Sequence, residues 1–176
     1  MACEALISIE KPCDNNIGGI RNVWICQQEN IITPLTATNF LISTFTVTDP
    51  CNVYAINRNS GNYTEEIAQD LINGSTVVTQ TITLMFNRRQ ATKSEAINVL
   101  GSGQQYLAVI VEDANANFWY FENAQLTAAG EGSGTARADG SKYSVTLVAE
   151  SDHLAYQILS TQITSNAADF PLPEQS

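Results

Sequence analysis

From Ser75 to Asn87 the chain alternates with a period of two: Val78, Ile82, Leu84 and Phe86 fall on one side, Thr79, Thr81 and Thr83 on the other. That pattern specifies a strand with one face in a core, and it leaves a threonine face that is either wet or covered by a partner. The same alternation returns at Tyr143, Val145 and Leu147, interleaved with Ser144 and Thr146. Two such strands in one chain point to a sheet with a buried and an open side.

Between these strands, Thr92-Lys93-Ser94-Glu95 matches a capping box, with Thr92 as N-cap and Glu95 reaching back from N3, and Gly101 is placed to stop the helix. Ala96, Ile97 and Leu100 give this helix, near residues 92–100, one apolar stripe. A helix of about nine residues is marginal alone and must be held by packing on the sheet. Tyr106 to Val111 is apolar on both faces, as in a strand covered on both sides, and the helix is a plausible lid for one of them. Asp113 to Asn117 then turns the chain into the aromatic run Phe118-Trp119-Tyr120-Phe121, and Leu154, Tyr156 and Ile158 open a last strand.

Upstream, a turn-rich stretch from Lys11 to Gly19 feeds a strand over Ile20–Cys26. Periodicity blurs from Gln27 to Asp49, where Phe40, Ile42, Phe45 and Val47 suggest an extended segment. Cys51 to Asn57 reads as a short strand and Tyr63 to Ile72 as another, with Asn73-Gly74 as a hairpin signal. The expected organisation is an N-terminal arm over 1–12, a single β domain over 13–160, and a C-terminal arm or flexible tail over 161–176 containing Pro171 and Pro173. The fold class is mainly β, a sandwich or barrel with one short helix and extended loops or arms.

Eighteen acidic against eight basic residues leave a formal charge of -10, which opposes tight nucleic-acid binding, since that depends on Lys and Arg neutralising phosphates. Anionic walls still suit a conduit through which DNA must slide. The apolar stretch around Leu6, Ile7 and Ile9 is too short and wrongly flanked for a signal peptide, and no run approaches the roughly 18 apolar residues of a membrane span, so a soluble product with no membrane partner is expected. Cys3, Cys13, Cys26 and Cys51 lack a C-x-x-C pair and read as free thiols.

Segments that resemble chemistry have structural readings. Asp113, Asn115 and Asn117 copy the first ligand positions of a calcium loop, but Phe118 stands where its sharp-turn Gly belongs and Ala124 where its bidentate Glu belongs. Gly130-Glu131-Gly132-Ser133-Gly134 lacks the Lys-Ser/Thr ending of a phosphate loop and the spacing of a dinucleotide loop. Ser133 has no nucleophile-elbow register, and His153 is the only histidine available as its base. Glu65 and Glu66 are adjacent, so on a strand they point to opposite faces, as solvated or subunit-facing charges. Asn62-Tyr63-Thr64 and Asn73-Gly74-Ser75 read as turn residues rather than glycan acceptors. No catalytic residue, cofactor or metal site is expected.

Cys13-Asp14-Asn15-Asn16-Ile17-Gly18-Gly19-Ile20-Arg21-Asn22-Val23-Trp24-Ile25 resembles the opening of virion structural proteins from bacteriophages of Bacteroidetes-type hosts. Three later features are similar to theirs in order: a Thr-rich strand ending in Met85-Phe86-Asn87 before a short helix, the apolar strand, turn and aromatic strand of Val109 to Phe121, and a small-residue loop before Asp139 to Thr146. The resemblance covers most of Cys13 to Glu150. It implies a tail-tube-like protomer, a β-sandwich or barrel that closes into a ring, usually a hexamer, and stacks into a channel for genome ejection. It carries no catalytic residues. A connector or tail-completion ring at the head-tail junction is the alternative, because the weakly patterned Gln27 to Asp49 suits either.

The expected partners are copies of the chain itself, other phage tail or connector proteins, and DNA in transit without specific binding. The expected location is the virion tail after synthesis in the host cytoplasm. Ring subunits exchange strands or order loops on contact, and Ala128 to Ser141 is the first candidate for such a loop, with Gly130, Gly132, Gly134, Asp139 and Gly140 as its marked positions. A host- or carbohydrate-binding β-sandwich is the more distant reading, and requires Trp119 or Tyr120 to be exposed.

Overall fold

The structure, a computed structural model, describes residues 7–9, 11, 13–32, 37–130 and 132–173. Cys3, most of the expected N-terminal arm and Glu131 lie outside them. The protein is mainly β. Its strands are β1 (Ile20–Gln27), β2 (Ala37–Thr38), β3 (Leu41–Ile42), β4 (Asn52–Ala55), β5 (Gly61–Asp70), β6 (Ser75–Asn87), β7 (Leu107–Asp113), β8 (Phe118–Gly130), β9 (Lys142–Ser151) and β10 (Tyr156–Ile158). Two short helices, α1 (Ala91–Leu100) and α2 (Ser160–Thr164), complete the regular structure.

One sheet runs β2-β3-β10-β8-β7-β1-β4 and the other β5-β6-β9-β8. The long strand β8 belongs to both. Its first half pairs with β7 from Glu112↔Phe118 to Leu107↔Ala124, and its second half pairs with β9 from Gln125↔Val148 to Gly130↔Ser144. Register shifts in both ladders mark where it bends from one sheet into the other, the usual effect of an extra residue in a strand.

Folding the sheet over on β8 encloses a first core. Val23 and Ile25 of β1, Val109 and Val111 of β7 and Phe121 of β8 meet Ile82 and Leu84 of β6 and Val145 and Leu147 of β9 there. A second core lies behind the first sheet, where Trp24, Cys26, Ala108, Ile110, Phe118 and Tyr120 pack on Ile42, Phe45, Val47, Ile163 and Phe170. The apolar run of β7 therefore has both faces covered. The lids are the β6–β9 sheet on one face and the 31–51 and 158–170 segments on the other, while α1 adds Leu100 and Ile97 to the first core.

The weakly patterned stretch from Gln27 to Asp49 is not one extended segment. A 3-10 turn at Gln28–Asn30, the β2–β3 ribbon and a bridge between Ile31 and Val47 break it up, and Ile42, Phe45 and Val47 are buried while Phe40 adopts a positive φ of 61° and stays exposed. The segment expected as an arm or tail over 161–176 returns to the body in its described part, 161–173. Phe170 is 1% exposed, the Asp169 carbonyl accepts from the Cys51 amide at 2.8 Å, and the Pro171 carbonyl accepts from Trp24 Nε1 at 2.9 Å.

Helix α1 departs from the expected capping box. Its N-cap is Gln90, without a side-chain cap, so Thr92 already lies inside the helix. Ser94 bonds the Tyr143 hydroxyl and donates to the Gln90 carbonyl at 3.2 Å, and this contact with β9 sets the start in place of the local cap. Gly101 does end the helix, but with a right-handed φ of -86°; its small size is what counts, because a Cβ there would sit 2.8 Å from Leu126 Cδ2.

Cys26 and Cys51 are buried neighbours at the β1–β4 edge. A thiol hydrogen bond between them lowers the Cys26 thiol from its ordinary value, and the same bond together with burial raises that of Cys51. Cys13 is exposed. All three are free thiols.

Candidate assembly surfaces

The marked glycines and Asp139 gather at one end of the β6–β9 sheet. Gly130 closes β8 opposite Ser144, and the Gly132 carbonyl accepts from the Lys142 amide at 3.2 Å. The Asp139 carboxylate accepts from the amides of Ala136 at 2.7 Å and Thr135 at 2.9 Å, bonds that hold its pKa below the ordinary carboxylate range. Gly134 and Gly140 both take left-handed conformations, at φ 72° and 64°. The segment is a turn closed on itself, where a flexible loop ordered on contact is expected, and its first three residues belong to β8.

Gly134 also has no room for a side chain, since a Cβ would approach Asp139 Cβ to 2.6 Å and the Gly140 carbonyl to 2.7 Å. Gly134→Ala is expected to cost about 1–3 kcal/mol of loop stability, seen as lost amide-exchange protection at Thr135 and Ala136. Gly140→Ala, whose Cβ meets open space, carries only the backbone term and is expected to lose less.

A second surface has a sequence signal in Tyr63 to Ile72 and Asn73-Gly74. Strands β5 and β6 pair over their full length from Gly61↔Leu84 to Asp70↔Ser75, but β9 accompanies β6 only as far as Val78. Beyond it the hairpin stands clear: Ile67 and Val77 are exposed, Leu71 is 89% exposed and Ile72 95%. The turn is built to last. The Asp70 carboxylate accepts from the amides of Asn73 at 3.2 Å and Ile72 at 2.9 Å, and Gly74 at φ 70° returns its amide to the Asp70 carbonyl at 2.8 Å. Among the described residues β5 pairs only with β6, so its outer edge is an open row of backbone donors and acceptors.

The threonine face lies outward on this sheet. Thr79, Thr81 and Thr83 stand beside Glu150, Val148 and Thr146 of β9, and Glu66, Thr64 and Asn62 of β5, all of them exposed or half-buried. This strip carries two carboxylates and no Lys or Arg. Glu65 turns the other way, as adjacent strand positions require, but it is neither solvated nor free for a subunit. Its Oε1 accepts from Gln80 Nε2 at 2.9 Å and from the Ala155 amide at 2.7 Å. Gln80, 1% exposed on the apolar side of β6, was not legible as a core residue, and among the described residues its Oε1 has no partner.

The remaining candidates resolve as structure. Asp113 Oδ1 accepts from the amides of Asn115 at 2.8 Å and Asn117 at 2.9 Å, and Oδ2 from Trp119 Nε1 at 3.0 Å, so the calcium-like spelling forms a hairpin turn. Phe118, Tyr120 and Phe121 are buried and Trp119 half-buried, so this run does not present the exposed Trp119 or Tyr120 that a sugar platform there requires. His153 Nδ1 lies 2.8 Å from the Leu154 carbonyl, and Nε2 lies 3.4 Å from Glu122 Oε1 and 3.6 Å from Asp152 Oδ1. Ser133 Oγ bonds its neighbour Gly134 instead. Among the described residues no three His, Cys, Asp or Glu side chains converge as metal ligands, and no helix is long and apolar enough to cross a membrane.

A cleft of about 510 Å³ lined by Gln27, Gln28, Glu29, Ile31, Gln105, Tyr106 and Asn123 contains one carboxylate and no histidine or cysteine. It offers amides for hydrogen bonding but no acid–base pair. No protein-family model matches the chain, and no curated protein matches it.

Proposed function

We propose that this chain is a virion structural protein of the tail-tube type, a subunit that joins copies of itself into rings, six-membered in the family it resembles, which stack around a channel for DNA. The observation that carries this reading is the β5–β6 hairpin. A monomer gains nothing from holding Leu71 and Ile72 in water on a turn stabilised by four hydrogen bonds, and it risks aggregation by leaving a ten-residue strand edge open. A subunit that buries both against a neighbour has a use for each. The outward row of Thr79, Thr81 and Thr83 supports the channel, because a wall strip without Lys or Arg offers phosphates nothing to hold.

Negative-stain electron microscopy of the purified chain, paired with its solution mass, tests the reading. Stacked rings with an open lumen are expected. A chain that stays monomeric at high concentration would sink it.

A further inference from the structure

The chain's charge is segregated end to end. Of its eight Lys and Arg residues, five gather at one end of the β5–β6–β9 sheet. Arg88 and Arg89 follow β6, and Lys93 reaches back from α1 so that Nζ donates to the Asn87 carbonyl at 2.6 Å. Lys142 opens β9 opposite Asn87, and Arg137 lies in the loop that the Arg88 amide ties to this end through the Ser141 carbonyl at 2.7 Å. Glu95 and Asp139 are the acids described near them, and the Asp139 carboxylate is occupied by its own loop; Glu131 lies outside the described residues.

The other end is the reverse. Glu66 and Glu150 flank Thr79 at the root of the projecting hairpin, Asp70 sits below its tip and Asp152 follows β9. No Lys or Arg occurs from residue 59 to residue 87, nor anywhere after Lys142. With 13 residues in β6, the two ends stand about 40 Å apart, several screening lengths at physiological salt. Neither end neutralises the other within one molecule.

We propose that the acidic, apolar-tipped end of one copy docks head-to-tail on the cationic end of the next. The proposal rests on the self-assembling reading above and names the contact that propagates it. The occupant is a second copy because each end carries what the other lacks. Carboxylates meet guanidinium and ammonium groups, while Leu71 and Ile72 gain apolar cover from the Arg88, Arg89 and Arg137 stems and the Tyr143 ring on which Arg89 lies at 4.8 Å. A contact between unlike patches at opposite ends, which does not close on itself, repeats from copy to copy and makes a stack.

The test is a pair of charge reversals scored by sedimentation at low salt. One variant carries Glu66→Lys and Glu150→Lys, the other Arg88→Glu and Arg137→Glu; all four side chains are exposed. Each variant alone presents like charges at both ends, and its self-association is expected to weaken by at least about tenfold with an unchanged melting curve. An equal mixture pairs lysine hairpins with glutamate ends and wild-type-like hairpins with wild-type-like ends, and is expected to recover association. A natively folded variant that associates like the wild type overturns the proposal, as does a mixture that fails to recover, including the case where the cationic end serves a different protein. Linear oligomers without a lumen that obey the charge swap would refute the tube and keep this contact. Rings that ignore the swap would do the opposite.

Discussion

Ending the chain at Ser165 is expected to lower its melting temperature by roughly 10 °C or more and to expose the back of the first sheet. The deleted segment holds Phe170, which fills the second core beside Phe45 with ring centroids 6.0 Å apart. Loss of such a buried ring costs about 3–5 kcal/mol, and in a protein of this size each 1 kcal/mol moves the midpoint by about 2–4 °C. The deletion also leaves the Cys51 amide and Trp24 Nε1 without the carbonyls of Asp169 and Pro171. Phe170→Ala isolates the packing share, with both carbonyls kept. Thermal melts followed by tryptophan fluorescence report directly, since Trp24 sits 1% exposed in that core. A midpoint within about 2 °C of the full chain would contradict the packing described here.

The second large effect is the reverse in kind, a variant that folds normally and does not assemble. Leu71→Asp with Ile72→Asp changes two side chains that touch solvent, so the melting curve is expected to stay within a degree or two. Burying a Leu or an Ile is worth about 1.5–3 kcal/mol each, so losing both from a contact raises the concentration needed for assembly by at least about a hundredfold. Light scattering across a dilution series reads this. Unchanged assembly would remove the hairpin tip from the interface. The order of the two results matters, because a deletion that unfolds also fails to assemble, whereas the tip variant separates assembly from folding.

What was legible in the sequence follows what local patterns encode. The period-2 rows of β6 and β9, the doubly covered β7, the aromatic β8 and the turns at Asp113 and Asn73-Gly74 were readable, since each is fixed by alternation or by side-chain-to-backbone bonds within a few residues. The helix was readable but its start was not. Thr92 and Glu95 spell a cap, yet a hydroxyl of β9, about fifty positions away, decides where the first turn begins. Gln80 interrupts the apolar row because its partner Glu65 is set by the β5 register, which sequence alone does not give. The segment from Gln27 to Asp49 was opaque because its burial comes from residues near the C-terminus.

At the candidate surfaces the glycine-rich loop was visible by composition, but composition does not say that Asp139 closes it. The hairpin was visible as two strands and a turn. That its tip outreaches the sheet depends on β9 stopping at Ser151 opposite Val78, a fact of strand length and register. Charge segregation was present in the order of residues all along, yet only the ladder shows that Arg88, Lys142 and Arg137 share an end.

The parallel pairing of β3 with β10 sets a clock. Leu41 cannot meet Gln157, nor Phe45 meet Phe170, until the chain has been made through Phe170, so the second core has to wait for a long loop to close, a slower event than closing the β5–β6 hairpin. The second core therefore rests on pairings far apart in sequence, whereas the β5–β6 hairpin needs only its own turn.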